Sequence, residues 1–319
     1  MSSTDLEMPA LGYGAANVGN LFRELTDDEA WAVLEAAWDA GIRYFDTAPH
    51  YGLGLSERRL GAFLQTKRRD EFVLSTKAGR LLRPNPAPGG LDTANDFHVP
   101  DDLQRVWDFT EAGIRASIAE SQERLGIERI DLLYLHDPER HDLDLAIAEA
   151  FPALEKARAE GLVTAIGVGA MTADALARSV READLDLIMV AGRYTLLEQP
   201  AAADVLPACA ERGTGIVAAS VFNSGLLAQS EPRRDGRYEY GQLPEQLWQR
   251  LVRIADVCAA HDVPLPSAAI QFPLQSNVVR SVVVGGSRPA QLRQNAEYAA
   301  LEIPAELWAD LADEGLIPA

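Results

Sequence analysis

The sequence predicts an α/β fold, a (β/α)8 TIM barrel with long loops at the C-terminal ends of its strands. Apolar strand-like segments alternate with amphipathic helical segments along the 319 residues, a pattern typical of parallel α/β proteins. Eight such units follow one another without an interdomain linker, which favours a closed barrel. We therefore expect residues 1–319 to form a single barrel domain.

An open doubly wound sheet is the alternative architecture. Such sheets usually carry a G-x-G-x-x-G loop after an early strand. The Gly-x-Gly at 12–14 lacks the third glycine, because Asn17 stands there, and the one at 167–169 fails at Thr172. The barrel is the better prediction.

The predicted strands are short apolar runs, and the predicted helices lie between them. The strands are expected at 11–15, 42–46, 72–76, 131–136, 164–168, 187–190, 215–220 and 281–285. The helices are expected at 27–40, 56–65, 110–125, 144–160, 172–183, 201–212, 245–262 and 289–299. Ser56 is a good N-cap for the second helix, and Pro289 suits the first turn of the last one.

Two long loops break the alternation, at 79–109 and at 225–244. Each follows the C-terminal end of a predicted strand, which is the face where barrel active sites lie. Long loops on a compact scaffold are usually functional. We expect both to cover the active site.

Composition and charge limit the kinds of molecule to which this protein can bind. The formal charge of −19 and the pI of about 4.6 disfavour binding to nucleic acid or to anionic lipid. No apolar run approaches the ~20 residues of a membrane helix, and the N-terminal segment does not resemble a signal peptide. Cys209 and Cys258 lie in separate helical segments, as expected for buried thiols in a reducing compartment. We expect a cytoplasmic protein that acts on a small-molecule substrate.

Polar residues close three successive apolar strands. Asp46 ends the second strand, Lys77 follows the third, and His136 ends the fourth. Tyr51 lies in the loop just after Asp46. Because a barrel brings its strand ends to one mouth, we expect these four side chains to meet there.

The four residue types suit proton transfer to or from an oxygen. A buried Asp and a buried Lys satisfy each other, and an ammonium near a phenol is expected to lower the pKa of Tyr51 from its usual value of about 10. A tyrosine tuned in this way exchanges a proton with an alcohol or carbonyl oxygen, while His136 hydrogen-bonds that oxygen. Hydride transfer to or from a neighbouring cofactor requires this arrangement.

The same residues belong to motifs that resemble the aldo-keto reductase family. The motifs are FDTAPHYG with SERRLG at 45–61, STK at 75–77, LLYLH at 132–136 and AIGVG at 165–169. The resemblance covers nearly the whole chain. It implies a (β/α)8 barrel, a nicotinamide cofactor extended across the barrel mouth, and a catalytic tetrad of Asp46, Tyr51, Lys77 and His136.

A turn after the last strand is a candidate phosphate site. Gly285, Gly286 and Ser287 lead into a helix, and backbone N–H groups at a helix N-terminus suit a phosphate. An ordinary capped turn is the alternative. The resemblance places the adenosine end of the cofactor here, and the expected cofactor contacts are Gly12, Gly169, Tyr194, Phe222, Asn223, Ser224, Gly225, Gly285, Gly286, Ser287, Arg288, Gln291 and Asn295.

The resemblance also bears on the choice between NAD and NADP. Relatives that prefer NADPH usually place two positive residues against the 2′-phosphate, and the matching positions here are Gly285 and Gln291. Arg288 alone remains as an anion partner. The sequence therefore favours NAD modestly over NADP.

The segments at 191–199 and 221–228 resemble a branch of the family that oxidises aldoses such as L-fucose at C1, or pyridoxal. We expect a sugar 1-dehydrogenase, with pyridoxal oxidation or general carbonyl reduction as alternatives. A nicotinamide-binding regulatory subunit is a further alternative of another class. His50 and Trp107 are candidate substrate contacts.

A metal site is not expected. His136 and His141 are separated across a proline rather than placed on one helix face, and no other histidine spacing suits a metal.

Overall fold

The computed structural model describes residues 6–238 and 241–318. Eight parallel strands close a barrel in the order β1-β2-β3-β6-β7-β8-β9-β12, and β12 pairs with β1. These strands are β1 (Leu11–Gly14), β2 (Tyr44–Asp46), β3 (Val73–Ala78), β6 (Ile130–His136), β7 (Val163–Ala170), β8 (Leu187–Ala191), β9 (Gly215–Ala219) and β12 (Val279–Val284). The predicted barrel is confirmed.

The α-helices pack around the outside of the strands. They are α1 (Asp27–Asp39), α2 (Leu55–Leu64), α3 (Glu111–Leu125), α4 (Leu143–Leu145), α5 (Phe151–Ala159), α6 (Ala173–Glu182), α7 (Val205–Arg212), α8 (Glu245–Ala260), α9 (Leu265–Gln271), α10 (Pro289–Ala300) and α11 (Ala305–Asp313). None of the described helices is long and apolar enough to span a membrane.

All eight predicted strands and eight predicted helical segments are present, with small differences at their ends. The segment predicted as one helix at 144–160 contains a π-helical stretch, Ala146–Ala150, between α4 and α5. The helices α9 and α11 were not predicted from the sequence. Both are short, and α9 begins next to Pro264 and Pro266, which obscure its helical pattern.

The predicted N-cap of α2 is wrong. The helix begins at Leu55 after Gly54, whose φ of 81° only glycine adopts readily. Ser56 instead lies inside the first turn, where its hydroxyl donates to the Ala15 carbonyl oxygen at 2.7 Å and lies 2.8 Å from the Thr47 hydroxyl. Ser56 therefore ties the loops that follow β1 and β2 together, beside the barrel mouth.

The first long loop is largely a β-hairpin. Its strands are β4 (Arg80–Pro84) and β5 (Leu103–Trp107), which pair antiparallel from Arg80 opposite Trp107. The second long loop contains the two-residue strands β10 (Arg237–Tyr238) and β11 (Gly241–Gln242). Glu239 and Tyr240 of that predicted loop, and residues 1–5 and 319 of the predicted domain, lie outside the described residues.

Apolar side chains fill the barrel interior and the layer between strands and helices. The interior cluster includes Tyr44, Leu132, Tyr134, Met189 and Val283. A Cβ atom on Gly12 would lie 2.4 Å from Cδ1 of the Tyr44 ring, so glycine at this position makes room for that ring. Both cysteines are buried, as predicted, and burial raises the pKa of each thiol to about 12.

Candidate active site

The four predicted strand-end residues meet at the C-terminal mouth of the barrel. The Lys77 ammonium donates to Asp46 Oδ2 at 2.7 Å and to the Thr47 carbonyl oxygen at 2.9 Å. Its Nζ lies 4.8 Å from the centroid of the Tyr51 ring. The rings of Tyr51 and His136 are edge-to-face, with centroids 5.9 Å apart. The four side chains therefore lie together at the barrel mouth, as barrel closure predicts.

A chain of hydroxyl groups inside the barrel orients Asp46. Ser75 Oγ donates to Asp46 Oδ1 at 2.7 Å. Because that bond uses the single Ser75 hydrogen, the Tyr44 hydroxyl, 3.0 Å away, must donate to Ser75. The Tyr134 hydroxyl follows at 3.4 Å from that of Tyr44. Both carboxylate oxygens of Asp46 are thus held, which fixes the position of the Lys77 ammonium.

Burial and neighbouring charges shift the pKa values of Lys77 and Tyr51 in opposite directions. Burial lowers the pKa of Lys77, but the attraction of Asp46 and Tyr51 outweighs it, so the pKa is raised. Burial raises the pKa of Tyr51, and Lys77 reverses only part of this rise. The predicted lowering of the Tyr51 pKa is therefore wrong for this state of the protein, because loss of hydration outweighs the ammonium.

His136 is neutral. Burial lowers its pKa well below the usual value, and the positive charges of Arg80 and Lys77 lower it further. A neutral imidazole has one N–H donor and one acceptor nitrogen. At neutral pH the site therefore presents a protonated phenol and a neutral imidazole above a buried ion pair.

A cleft of about 640 Å³ extends from the tetrad across the barrel mouth. Asp46 and Tyr51 line one part of it, and Ser287 and Gln291 line another. The predicted cofactor contacts that line it are Phe222, Asn223, Ser224, Gly225, Gly285, Gly286, Ser287 and Gln291. Its volume is in the range of ligand-binding sites, which is about 300–1,000 Å³.

The structure does not bring every predicted cofactor contact to the cleft wall. The residues outside it are Gly12, Gly169, Tyr194, Arg288 and Asn295. Tyr194 is buried against Phe272, with ring centroids 5.1 Å apart. Asn295 supports the wall from behind, because its amide donates to the Gly285 carbonyl oxygen at 3.3 Å. Arg288 occupies the N-cap position of α10 and is exposed.

The loop between β12 and α10 is held by side chains that line the cleft. Asn17 Oδ1 accepts a hydrogen bond from the Gly286 backbone N–H at 3.1 Å, and Gln291 Oε1 accepts one from the Ser287 N–H at 3.0 Å. The Tyr13 hydroxyl donates to the Gly286 carbonyl oxygen at 3.0 Å. The sequence reasoning missed Asn17, which lies three residues after the end of β1, in the 3-10 turn Ala15–Gly19. The same rule that selected the residues at the ends of the other strands could have found it.

Other cleft residues were also missed or assigned no role. They are Gly14, Ala16, Leu21, Phe22, Met171, Met189, Ala191, Gly192, Arg193, Ala219, Ser220, Val221, Tyr238, Val283 and Val284. Most follow the ends of barrel strands. The strand-end rule that found the tetrad therefore applies to the remaining strands as well.

The turn after β9 fits a ligand that approaches the backbone closely. Ser220, Asn223 and Ser224 have left-handed φ angles of 56°, 44° and 58°, and Gly225 follows at 91°. Asn223 Oδ1 is buried and has no hydrogen-bond partner among the described residues. An unsatisfied acceptor on a strained turn beside a long cleft fits an extended nucleotide that supplies hydrogen-bond donors.

The two candidate substrate residues lie on the side of the tetrad that faces the hairpin. The His50 ring centroid is 5.4 Å from that of His136 and 6.1 Å from that of Tyr51. Trp107 lies farther out, lining a second cavity of about 500 Å³, and its ring stacks on His141 at 5.1 Å. Within the described residues, no group of three His, Cys, Asp or Glu side chains is arranged to hold a metal.

Comparisons with known proteins agree with this geometry. The model of the aldo/keto reductase family matches residues 10–313. The chain is 82% identical to D-threo-aldose 1-dehydrogenase from a Pseudomonas species, with 100% of this chain and 99% of that protein covered. It is 39% identical to pyridoxal 4-dehydrogenase from Microbacterium luteolum, with 99% and 97% covered.

A solved structure supports the fold. The holo form of an aldo-keto reductase from Bacillus halodurans superposes with a TM-score of 0.78 at 24% identity, covering 98% of this chain and 93% of that one.

Proposed function

Because this chain belongs to the aldo/keto reductase family, we propose that it is an NAD(P)-dependent aldose 1-dehydrogenase that oxidises a sugar lactol to its lactone. The observation that carries the proposal is the Tyr51 phenol, which lines the cleft and is backed by the buried Lys77–Asp46 pair. The 82% identity to D-threo-aldose 1-dehydrogenase supports an aldose as the substrate.

A bound nicotinamide cofactor would supply the acceptor for the hydride that leaves C1 of the sugar. The residues of this chain that would hold it are those lining the cleft from Phe222 to Gly225 and from Gly285 to Gln291. The choice of NAD over NADP rests on the neutral residues at Gly285 and Gln291. Arg288, exposed at the start of α10, is the cation expected to face a 2′-phosphate, and the Arg23 guanidinium also reaches this loop, where it donates to the Ser287 carbonyl oxygen at 3.0 Å.

The tetrad residues have separate roles in the proposed reaction. In its phenolate form, Tyr51 takes the proton of the C1 hydroxyl as the carbonyl of the lactone forms, so C1 loses a hydride and its oxygen loses a proton. Lys77, fixed by Asp46, offsets negative charge on the Tyr51 oxygen. The neutral His136 donates a hydrogen bond to the reacting oxygen and positions it.

Pyridoxal oxidation is the second candidate. The 39% identity to pyridoxal 4-dehydrogenase over nearly the whole chain favours it over unrelated carbonyl substrates. A nicotinamide-binding regulatory subunit would use the same cleft without turnover.

The deciding experiment tests a panel of aldoses, pyridoxal and simple alcohols with NAD and with NADP. Turnover is measured by the absorbance of the reduced nicotinamide. We expect turnover of aldoses, and faster turnover with NAD. Tyr51→Phe should bind the cofactor as the wild type does, but lose turnover by at least ~100-fold. Activity that survives in Tyr51→Phe would disprove the tetrad assignment, and cofactor binding without turnover of any substrate would support the regulatory alternative.

We also propose that the protein functions in the cytoplasm as a single barrel domain and does not bind nucleic acid. The two unpaired cysteines suit a reducing compartment, and the net charge of −19 opposes binding to a polyanion.

A further inference from the structure

Arg80, the first residue of the hairpin strand β4, contacts both histidines of the site. Its side chain is 6% exposed, and Nη2 donates to Asp137 Oδ2 at 2.7 Å and toward the His136 carbonyl oxygen at 3.4 Å. Nη1 lies 3.4 Å from His50 Nδ1. The guanidinium also lies over Trp107, 4.3 Å from the ring centroid. These contacts with Asp137, His50 and Trp107 fix the orientation of the Arg80 guanidinium.

The contact with Arg80 determines which nitrogen of His50 carries the hydrogen. A guanidinium has only donors, so His50 Nδ1 must accept, and the single hydrogen of the neutral ring lies on Nε2. The ring remains neutral because burial, followed by the charges of Arg105 and Arg80, lowers the pKa of His50 to about 2. No described residue hydrogen-bonds His50 Nε2.

Arg105 fixes the backbone of the same residue. It donates to the His50 carbonyl oxygen at 2.7 Å while it pairs with Asp92. Both arginines belong to the hairpin, so the hairpin holds the ring and the backbone of His50. The result is a second neutral N–H donor whose ring centroid is 5.4 Å from that of His136.

On the basis of the proposed function, we propose that Arg80 is a positioning residue that presents His50 as a hydrogen-bond donor to the C2 hydroxyl of the sugar. A hydrogen bond spans about 3 Å, so two donors on adjacent rings suit two oxygens on adjacent carbons. His136 serves the oxygen on C1, and His50 serves the oxygen on C2. His50 then distinguishes an aldose from a carbonyl compound without a neighbouring hydroxyl group.

The test compares an aldose with its 2-deoxy counterpart. In the wild type, kcat/KM should be higher for the aldose, and His50→Phe, which keeps a ring but removes the donor, should reduce that preference about tenfold, equivalent to ~1.4 kcal/mol. Arg80→Met should lower kcat/KM for the aldose much more than for the 2-deoxyaldose. In the His50→Phe background it should cause no further loss of preference, because the two residues act as one unit.

Arg83→Met is the matched control. Arg83 lies in the same hairpin strand and pairs with Glu120, away from both histidines, so its replacement should leave the preference unchanged. An unchanged preference in His50→Phe would overturn the inference. Equal losses on both substrates in Arg80→Met would also overturn it, since they would show a purely structural role.

The inference about His50 can still be tested if the protein is not an aldose dehydrogenase. If the wild type oxidised no aldose, the same variants would be compared in the reduction of 2-hydroxypropanal and propanal. Loss of the preference for 2-hydroxypropanal in His50→Phe would still support the inference, and an unchanged preference would reject it.

Discussion

At the Tyr51 hydroxyl, two opposing effects determine how the site handles protons. Burial disfavours the phenolate, while the Lys77 ammonium favours it, and burial is the larger effect. The protonated phenol is the form that donates to a carbonyl oxygen, and the phenolate is the form that accepts from an alcohol. One residue therefore gives the two reaction directions different dependences on pH.

The pH dependence of oxidation follows from this sign. Because the pKa of Tyr51 is raised above about 10, the phenolate fraction at neutral pH is small and increases tenfold for each pH unit. We expect kcat/KM for oxidation to rise about tenfold per unit from pH 7 to pH 9, whereas reduction stays nearly constant. Steady-state kinetics in both directions would measure this, and a flat oxidation profile would contradict it.

Lys77→Met tests how much the Lys77 ammonium stabilises the Tyr51 phenolate. The substitution removes the attraction that favours the phenolate and leaves the Asp46 carboxylate buried beside an apolar side chain. We expect oxidation to fall by at least ~100-fold and the free energy of unfolding to fall by about 3–5 kcal/mol.

The double variant Asp46→Asn/Lys77→Met separates the two effects. It should recover much of the stability without recovering activity, as measured by urea unfolding and by kinetics. Recovery of turnover in the double variant would show that Lys77 is not needed at Tyr51.

The proximity of the four proposed tetrad residues could be predicted because Asp46, Lys77 and His136 interrupt apolar strands at their ends, and barrel closure brings such ends together. It did not predict the direction of the Tyr51 pKa shift, because hydration depends on how completely the loops cover the phenol. Ser75 was missed because its orientation toward Asp46 depends on strand register. The contacts of Arg80 were missed because they depend on how the hairpin folds over the mouth.

Among the elements, α2 is coupled to β3 and α3 through one buried carboxylate. Glu57 is fully buried, accepts from the Thr76 hydroxyl at 2.8 Å, and pairs with Arg124 at 2.5 Å. Thr76 directly precedes Lys77 in β3. The ion pair therefore anchors the strand that carries the Lys77 ammonium.

Glu57→Leu should lower the free energy of unfolding by about 3–5 kcal/mol, because Arg124 keeps only its longer ion pair with Glu120, at 3.8 Å, and the Thr76 hydroxyl loses its acceptor. Urea denaturation followed by circular dichroism would measure the change. Glu111→Leu is the control, since Glu111 pairs with Arg115 and Lys156 near the surface, and its effect should stay below about 1 kcal/mol. Equal effects of the two substitutions would show that Glu57 contributes no more than a surface pair.

The sequence predicted the regular elements better than the covering loops. Barrel strands and their helices have strong local patterns, since each strand is a short apolar run bounded by turns. The hairpin of β4 and β5 has no such pattern, because its strands alternate polar and apolar residues weakly and are joined by a proline- and glycine-rich segment at 85–102. Its pairing depends on tertiary contacts at the barrel mouth.

For the whole molecule, two buried neutral histidines link stability to pH. The pKa values of His50 and His136 are lowered by burial, so the unfolded chain binds more protons than the folded protein below pH 6.5. Their contribution to stability is fully present above pH 6.5 and is lost as the pH falls toward about 2, the pKa of His50.

His50→Phe should therefore reduce the acid sensitivity of the fold. Each such histidine destabilises by up to about 1.4 kcal/mol per pH unit below 6.5, so the variant should lose about 2 kcal/mol less than the wild type between pH 7 and pH 5. Urea unfolding at the two pH values gives the comparison. The same loss in both proteins would mean that His50 titrates normally when folded.

The hydrogen bonds from Gly286 to Asn17 and from Ser287 to Gln291 have a consequence for binding. Both backbone donors already have acceptors within the chain, so an anion that reaches them replaces amide oxygens with its own. Such an exchange conserves the number of hydrogen bonds, and its enthalpy depends on the difference between two acceptors. The loop, meanwhile, is already ordered by those amides, which reduces the entropy that a ligand must remove on arrival. Asn17 and Gln291 thus compete with the ligand for the backbone N–H groups, and they also hold the loop in an ordered conformation before the ligand binds.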